Sequence, residues 1–208
     1  MWDKLCLVFD SVVIAHDINS APLTSRVQTA LYARANLEFL NETGDDAVNN
    51  FPNLCVPLYK LALEGNWPEA NRLIVMEEKL KNAAIAKGWP TVLHIASGAN
   101  HIHFVKELLR MLDDEDIVLQ DFNGNTAFCI AAAAGNMEIV DLMLERNIHL
   151  PDMTGGNGYT PIQFAAMQGR CKMTWYLYDK TEKVDFRDED WNLLFFTCIY
   201  TGIYGKYY

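Results

Sequence analysis

The sequence predicts an all-α solenoid of about five stacked helix-turn-helix repeats, and three observations carry that prediction. Five stretches of the chain repeat one another at intervals of 35, 35, 34 and 33 residues, measured between Tyr59, His94, Cys129, Gln163 and Phe196. Within the copies, apolar residues fall at i, i+3, i+4 spacing, the mark of a helix with one buried face. The chain has 208 residues, half of them apolar and 21% charged, enough apolar side chain for a continuous core.

Taken in order, the copies lie near 53–85, 86–120, 121–154, 155–187 and 188–208, together forming an array over 51–208. The first contains Pro57-Leu58-Tyr59-Lys60-Leu61-Ala62 and Gly65-Asn66. The second reads Thr91-Val92-Leu93-His94-Ile95-Ala96, then Val105, Leu108 and Leu109. The third is the clearest, running from Asp121-Phe122-Asn123-Gly124-Asn125-Thr126 through Ala131-Ala132 to Gly135-Asn136, with Ile139, Val140 and Met143 behind it. The fourth has Tyr159-Thr160-Pro161-Ile162-Gln163, Ala165-Ala166 and Gly169. The fifth keeps Leu194-Phe195-Phe196, Cys198 and Gly202 and stops mid-repeat, about a dozen residues short of a full period. The chain is then either truncated or capped some other way. Thr91, Thr126 and Thr160 precede helical stretches whose orphan N–H groups a hydroxyl can satisfy. Pro161 suits a first turn. Small alanines let inner helices approach closely, and no single repeat buries its apolar face without its neighbours.

Residues 1–50 fit no copy. Pro22 and Gly44 bracket a predicted helix from Leu23 to Leu40. The segment either caps the N-terminal face of the array or is a partly disordered arm. Thr29-Ala30-Leu31-Tyr32 imitates a helix start, but it lies 27 residues before Tyr59 and lacks the alanine pair.

The wording of the copies resembles the ankyrin repeat, D-x-x-G-x-T-P-L-H-x-A-A-x-x-G-H followed by V-x-x-L-L. The stretches PLYKLALEGNW at 57–67, VLHIASGANHIHFVKELL at 92–109 and GNTAFCIAAAAGNMEIV at 124–140 are similar to one plant family in particular. In it an intracellular ankyrin array precedes a C-terminal membrane region, the PGG domain, and members related to accelerated cell death act in defence and salt-stress signalling. The resemblance covers 53–204 and does not extend to a membrane region. Ala86 and Trp89 stand where the pattern has aspartate and glycine, and Cys129 and Gln163 where it has histidine.

The formal net charge of −10 argues against nucleic acid, whose affinity rests on clustered Lys and Arg. Five widely spaced cysteines without a C-x-x-C point to reduced thiols inside a cell. Asp10 and Ser11 interrupt the apolar run from Leu5 to Ala15, against a signal peptide, and no run approaches the ~18 apolar residues of a membrane span. The expected location is cytoplasmic, and the resemblance implies the cytosolic face of the plasma membrane for full-length relatives.

Candidate chemistry is sparse. His94, His101 and His103 form the one histidine cluster, and a metal-dependent enzyme built on them is the remote alternative. His94 and His101 occupy the two histidine positions of the ankyrin pattern, so bracing of backbone and turn is the preferred role. The acidic runs 113–116 and 188–190 lack calcium-loop spacing and read as solvated linkers. Gly155-Gly156-Asn157-Gly158 lacks the Lys and preceding strand of a phosphate cradle and reads as a turn. Cys129 and Cys198 fall at core positions. No catalytic residue, metal or cofactor is expected. What remains is the concave strip that the resemblance implies, formed by loop tips and inner-helix ends. By register it holds Lys87, Gly88 and Pro90; Phe122, Asn123, Asn125, Ala133 and Ala134; Asn157, Tyr159, Met167 and Gln168; and Glu189, Asp190 and Asn192. Phe122 and Tyr159 are the expected apolar anchors, in one patch or each packed on its own loop. The expectation is a non-catalytic interaction module for a protein partner in plant stress or defence signalling, or else the cytosolic part of a membrane-anchored regulator.

Overall fold

The computed structural model describes residues 35–41, 50–181 and 186–203, and among them helices are the only regular elements. Four complete helix pairs stack in sequence. They are α2 (Val56–Glu64) with α3 (Trp67–Met76), α4 (Val92–Gly98) with α5 (Ile102–Leu109), α7 (Ala127–Ala134) with α8 (Met137–Leu144), and α9 (Pro161–Met167) with α10 (Cys171–Lys180). A fifth inner helix, α11 (Asp188–Tyr200), follows. The one-turn helices α1 (Glu38–Asn41) and α6 (Asp114–Ile117) lie between and before the pairs.

The threonines start the inner helices, as the sequence predicts. Thr126 Oγ1 accepts the Cys129 N–H at 3.3 Å. In the flanking copies the third helical side chain also reaches back: His94 Nδ1 accepts the Thr91 N–H at 3.2 Å, and Gln163 Oε1 accepts the Thr160 N–H at 2.8 Å. Each device satisfies a helix-start N–H that would otherwise be orphaned. At the other end, Gly65 takes φ +73°, and a Cβ there would lie 2.4 Å from His101 Nδ1. That close approach lets His101 Nε2 donate to the Leu63 carbonyl at 2.8 Å.

Inner helices pack on one another in chain order, α2 on α4, α4 on α7, α7 on α9 and α9 on α11. Seven consecutive residues of α7, Ala127 to Ala133, are buried, because this helix has an inner helix on both sides and α8 behind. Ile139, Val140 and Met143 supply the outer-helix face. One core cluster runs through the described array from Phe39 to Ile203.

Two expectations need correction. The predicted helix from Leu23 to Leu40 falls mainly on residues outside those described, as does Thr29–Tyr32. Where it is described, 35–37 are not helical: Asn36 N–H donates to the Asn82 carbonyl at 3.1 Å and the Asn36 carbonyl accepts the Ala84 N–H at 2.8 Å. An extended strip therefore pairs beside the end of the first copy, with Phe39 buried in the core and Glu38 bound to Lys79 at 2.6 Å. The acidic run 113–116 is not merely a solvated linker. Asp114–Ile117 is a helical turn, the nearly buried Asp116 accepts the Asp113 N–H at 3.0 Å, and it also accepts Asn82 Nδ2 at 2.9 Å. Likewise 188–190 form the first turn of α11, where carboxylates complement the helix dipole.

Candidate binding strip at the loop tips

Three hairpin turns lead into α4, α7 and α9. They close with Ile85 N–H to Pro90 O at 3.0 Å, Asp121 N–H to Asn125 O at 2.9 Å and Gly155 N–H to Tyr159 O at 2.7 Å. Neighbouring turns stack. Phe122 N–H donates to the Gly88 carbonyl at 2.8 Å, and a Cβ on Gly124 would lie 3.9 Å from Gly156 Cα. The tips of copies two, three and four therefore form a row.

Buried hydrogen bonds fix that row to the helices below. His94 Nε2 lies 3.0 Å from the Asn125 carbonyl, and Asn125 Oδ1 accepts the Gly156 N–H at 2.9 Å. Asp121 holds the other side of Asn125, accepting its backbone N–H at 2.8 Å and its Nδ2 at 3.2 Å. Burial pushes the His94 imidazole below its ordinary value, against the opposing pull of Asp121. Because Nε2 faces a carbonyl and Nδ1 an N–H, the neutral ring with hydrogen on Nε2 is the form that fits. Burial also pushes the Cys129 thiol up to about 11. Neither group has the accessibility and poise of a nucleophile or base. Among the described residues no group of three or more His, Cys, Asp or Glu is placed to hold a metal ion.

The strip residues divide by exposure. Lys87, Phe122, Asn123, Asn157, Glu189 and Asn192 are exposed, and Tyr159, Met167, Gln168 and Asp190 are half-buried. Asn125 and Pro90 are buried, which corrects their assignment to the surface. The Asn125 side chain is turned inward by its bonds to Asp121 and Gly156, and Pro90 closes its hairpin beneath the tip. Ala133 is buried too. Asp190 accepts the Arg187 N–H at 3.0 Å and sits 3.3 Å from its Nε.

Phe122 and Tyr159 have different aromatic partners. The Tyr159 ring stands edge-on to Phe164 at 6.2 Å and, with Met167, packs on a small separate cluster of Cys129, Ala133 and Phe164. Phe122, 64% exposed, meets Trp89 edge-on at 4.9 Å. Sequence reasoning missed Trp89, which is half-buried beside the exposed Phe122. It holds φ +60° at the position occupied by Gly124 and Gly158 in the next two copies. A bulky residue rarely adopts that conformation, at a cost of about 1–2 kcal/mol, so a tryptophan in a glycine position beside an aromatic loop tip was the available signal.

A family profile described as ankyrin repeats (three copies) matches residues 58–154 and, in an overlapping register, 93–190. The match spans more than half of the chain, which belongs to the ankyrin-repeat family. Among relatives, the chain is 28% identical over 117 residues to a probable E3 ubiquitin-protein ligase, XBOS32, from Oryza sativa subsp. japonica, covering 55% of this chain and 23% of that protein. It is 31% identical over 132 residues to the glycerophosphocholine phosphodiesterase GDE1 of Candida albicans, covering 62% and 11%. It is 26% identical over 138 residues to the human transient receptor potential cation channel subfamily A member 1, covering 65% and 12%. The aligned part is thus less than a quarter of each relative.

Proposed function

We propose that the chain is a non-catalytic interaction module that binds a polypeptide partner along the loop-tip strip, with Trp89 and Phe122 as its principal anchor and Tyr159 with Met167 as a second. The observation that carries this reading is the stacking of consecutive tips, Phe122 on Gly88 at 2.8 Å, which holds exposed side chains from separate repeats in one fixed row. Preformed rows of this kind bind at a reduced ordering cost, and exposed aromatic residues are the type that dominates hot spots. Membership of the ankyrin-repeat family supports an interaction role. The setting we assign is plant stress or defence signalling in the cytoplasm, on the similarity of 57–67, 92–109 and 124–140 to the plant family and on the rice relative.

The test is selection of peptides on the folded chain, followed by binding isotherms for the wild type, Phe122→Ala and Tyr159→Ala. Loss of more than about 2 kcal/mol in either variant, with the fold retained, supports the strip; ligands indifferent to both changes place the site elsewhere.

A second reading, that the array is the cytosolic part of a larger membrane-anchored regulator, is favoured by the small share of each relative that it spans, one of them a cation channel. Among the described residues no helix is long and apolar enough to cross a membrane. Sequencing the transcript past the codon for Tyr208 tests this reading, since several further apolar segments of about 20 residues would support it and a stop codon would remove it.

A further inference from the structure

We propose that residues 188–193 alternate between the helical turns seen here and a fourth braced loop tip, lengthening the binding strip beyond Tyr159. α11 begins at Asp188, six residues before the register position at which α4, α7 and α9 begin. Those three helices are started by Thr91, Thr126 and Thr160. Their counterpart in the fifth copy is Leu193, which has no hydroxyl to offer. The helix therefore runs on upstream until Asp190 caps it, accepting the Arg187 N–H at 3.0 Å. The sequence it runs through is that of a tip.

Register sets Asp188 at the position of Asp121, Asn192 at that of Asn125, and Trp191 at that of Gly124 and Trp89. In the third copy these residues build the brace. The Asp121 carboxylate accepts the Asn125 backbone N–H at 2.8 Å and its Nδ2 at 3.2 Å, and Asn125 is buried. Asn192 carries the same groups exposed on the side of a helix. The tip turn needs a positive φ, which Gly124 takes at +87° and Trp89 at +60°, so a tryptophan at this position is compatible with a tip. Asp, Trp and Asn are also indifferent helix formers.

The fourth copy holds a donor for that tip. Gln163 stands in the place of His94, and its Oε1 accepts the Thr160 N–H at 2.8 Å and hydroxyl at 3.1 Å, as His94 Nδ1 meets those of Thr91. The other ring nitrogen of His94 meets the Asn125 carbonyl at 3.0 Å. Gln163 Nε2, in the corresponding place, is buried and has no hydrogen-bond partner among the described residues. A buried amide without an acceptor is costly, and the carbonyl of Asn192 in a tip is the acceptor that register assigns to it. Each state thus lacks what the other has. The helix has its cap, the packing of Trp191 on Tyr178 and Phe186, and carboxylates at the positive end of its dipole. The tip has the Gln163 bond and the Asp188–Asn192 brace. The helix is the major state of the free chain, and a peptide that reaches past Tyr159 draws out the tip by binding it preferentially.

The alternation needs no ligand, whereas the lengthening rests on the strip proposed above. The experiment is amide relaxation dispersion with backbone Cα chemical shifts over residues 186–194 of the 208-residue chain. The expected result is microsecond-to-millisecond exchange confined to this segment. In Leu193→Thr the added cap raises the tip population about fivefold, and the Cα shifts at 188–192 move away from helical values. In Asn192→Ala, which removes the brace from an exposed position, the exchange is lost and the helix is kept. Flat dispersion in the wild type, helical shifts retained in Leu193→Thr, or exchange that survives Asn192→Ala overturns the proposal. Peptides selected on the strip and weakened by Phe122→Ala should also be weakened more than about fivefold by Asn192→Ala, because the tip they select is then rarer. Peptides sensitive to Phe122→Ala alone confine the strip to three tips and overturn the lengthening. Indifference to Phe122→Ala overturns the strip, and the lengthening with it, while the chemical shifts still decide the exchange.

Discussion

His94 Nε2 lies 3.0 Å from the backbone carbonyl of Asn125, thirty-one residues further on, and the contact joins the inner helix of the second repeat to the loop of the third. Both partners are buried, so the donor cannot turn to water if the carbonyl is removed. His94→Ala removes one of the two donors to that carbonyl, leaving the Asp121 N–H, and opens a cavity, at a cost of about 2 kcal/mol or more. The measurement is thermal unfolding, with Tm expected to fall by roughly 4–8 °C.

The burial of His94, rather than this contact, also makes stability depend on pH. The His94 imidazole titrates below its ordinary 6.5 in the fold, so the unfolded chain takes up the proton first as pH falls. Its contribution is complete above about pH 6.5 and is lost as pH drops from there towards the folded value. Urea midpoints measured from about pH 7 to about pH 5 should decline in the wild type and much less in His94→Gln, whose amide can still donate. Equal slopes in the two proteins would assign the dependence to other groups.

Trp89 combines an unfavourable backbone conformation with a favourable ring contact. Trp89→Gly relieves the first, about 1–2 kcal/mol, and forfeits the second, about 0.5–1.5 kcal/mol. Chemical denaturation should therefore change by less than about 1 kcal/mol, while affinity for strip ligands falls as it does in Phe122→Ala. A stability loss of several kcal/mol would make Trp89 a core residue rather than a binding one.

Gly156 has no room for a side chain. A Cβ there would stand 2.8 Å from the Asn123 carbonyl oxygen, a backbone atom that cannot move aside alone. Gly156→Ala should destabilise by about 1–3 kcal/mol and should separate the third and fourth tips, seen as faster amide exchange at 122–125.

Thiol reactivity should divide the described cysteines. Cys171 is exposed, whereas Cys55 and Cys129 are buried and the Cys129 thiol is held at about 11. Alkylation at pH 8 followed by peptide mapping should label Cys171 first and Cys129 more than about a hundredfold more slowly, until denaturant is added.

Much of this architecture was legible because each repeat states it again. The threonine starts, the alanine pairs and the buried triplet Ile139, Val140 and Met143 recur at one period, and stacking requires them. The failures came where one composition serves two structures. Asn125 reads as an exposed loop amide, and its inward turn depends on Asp121 four residues back and Gly156 thirty-one ahead. Asp113 to Asp116 would look the same in a solvated linker as in a capped helical turn. Trp89 was hidden because its copy departs from the pattern at the very residue that places it, and the pairing of Asn36 with 82–84 is non-local, beyond any periodicity.

The bracing of the loops also has a direction. His94 reaches forward to the third repeat, and Asn125 reaches forward to Gly156 of the fourth. A chain emerging from the ribosome N-terminus first therefore finishes the second and the third repeat with a polar group still awaiting the next, and gains that bond only when its successor arrives. A defect in the third or fourth repeat therefore leaves the one before it with a buried hydrogen bond unmade.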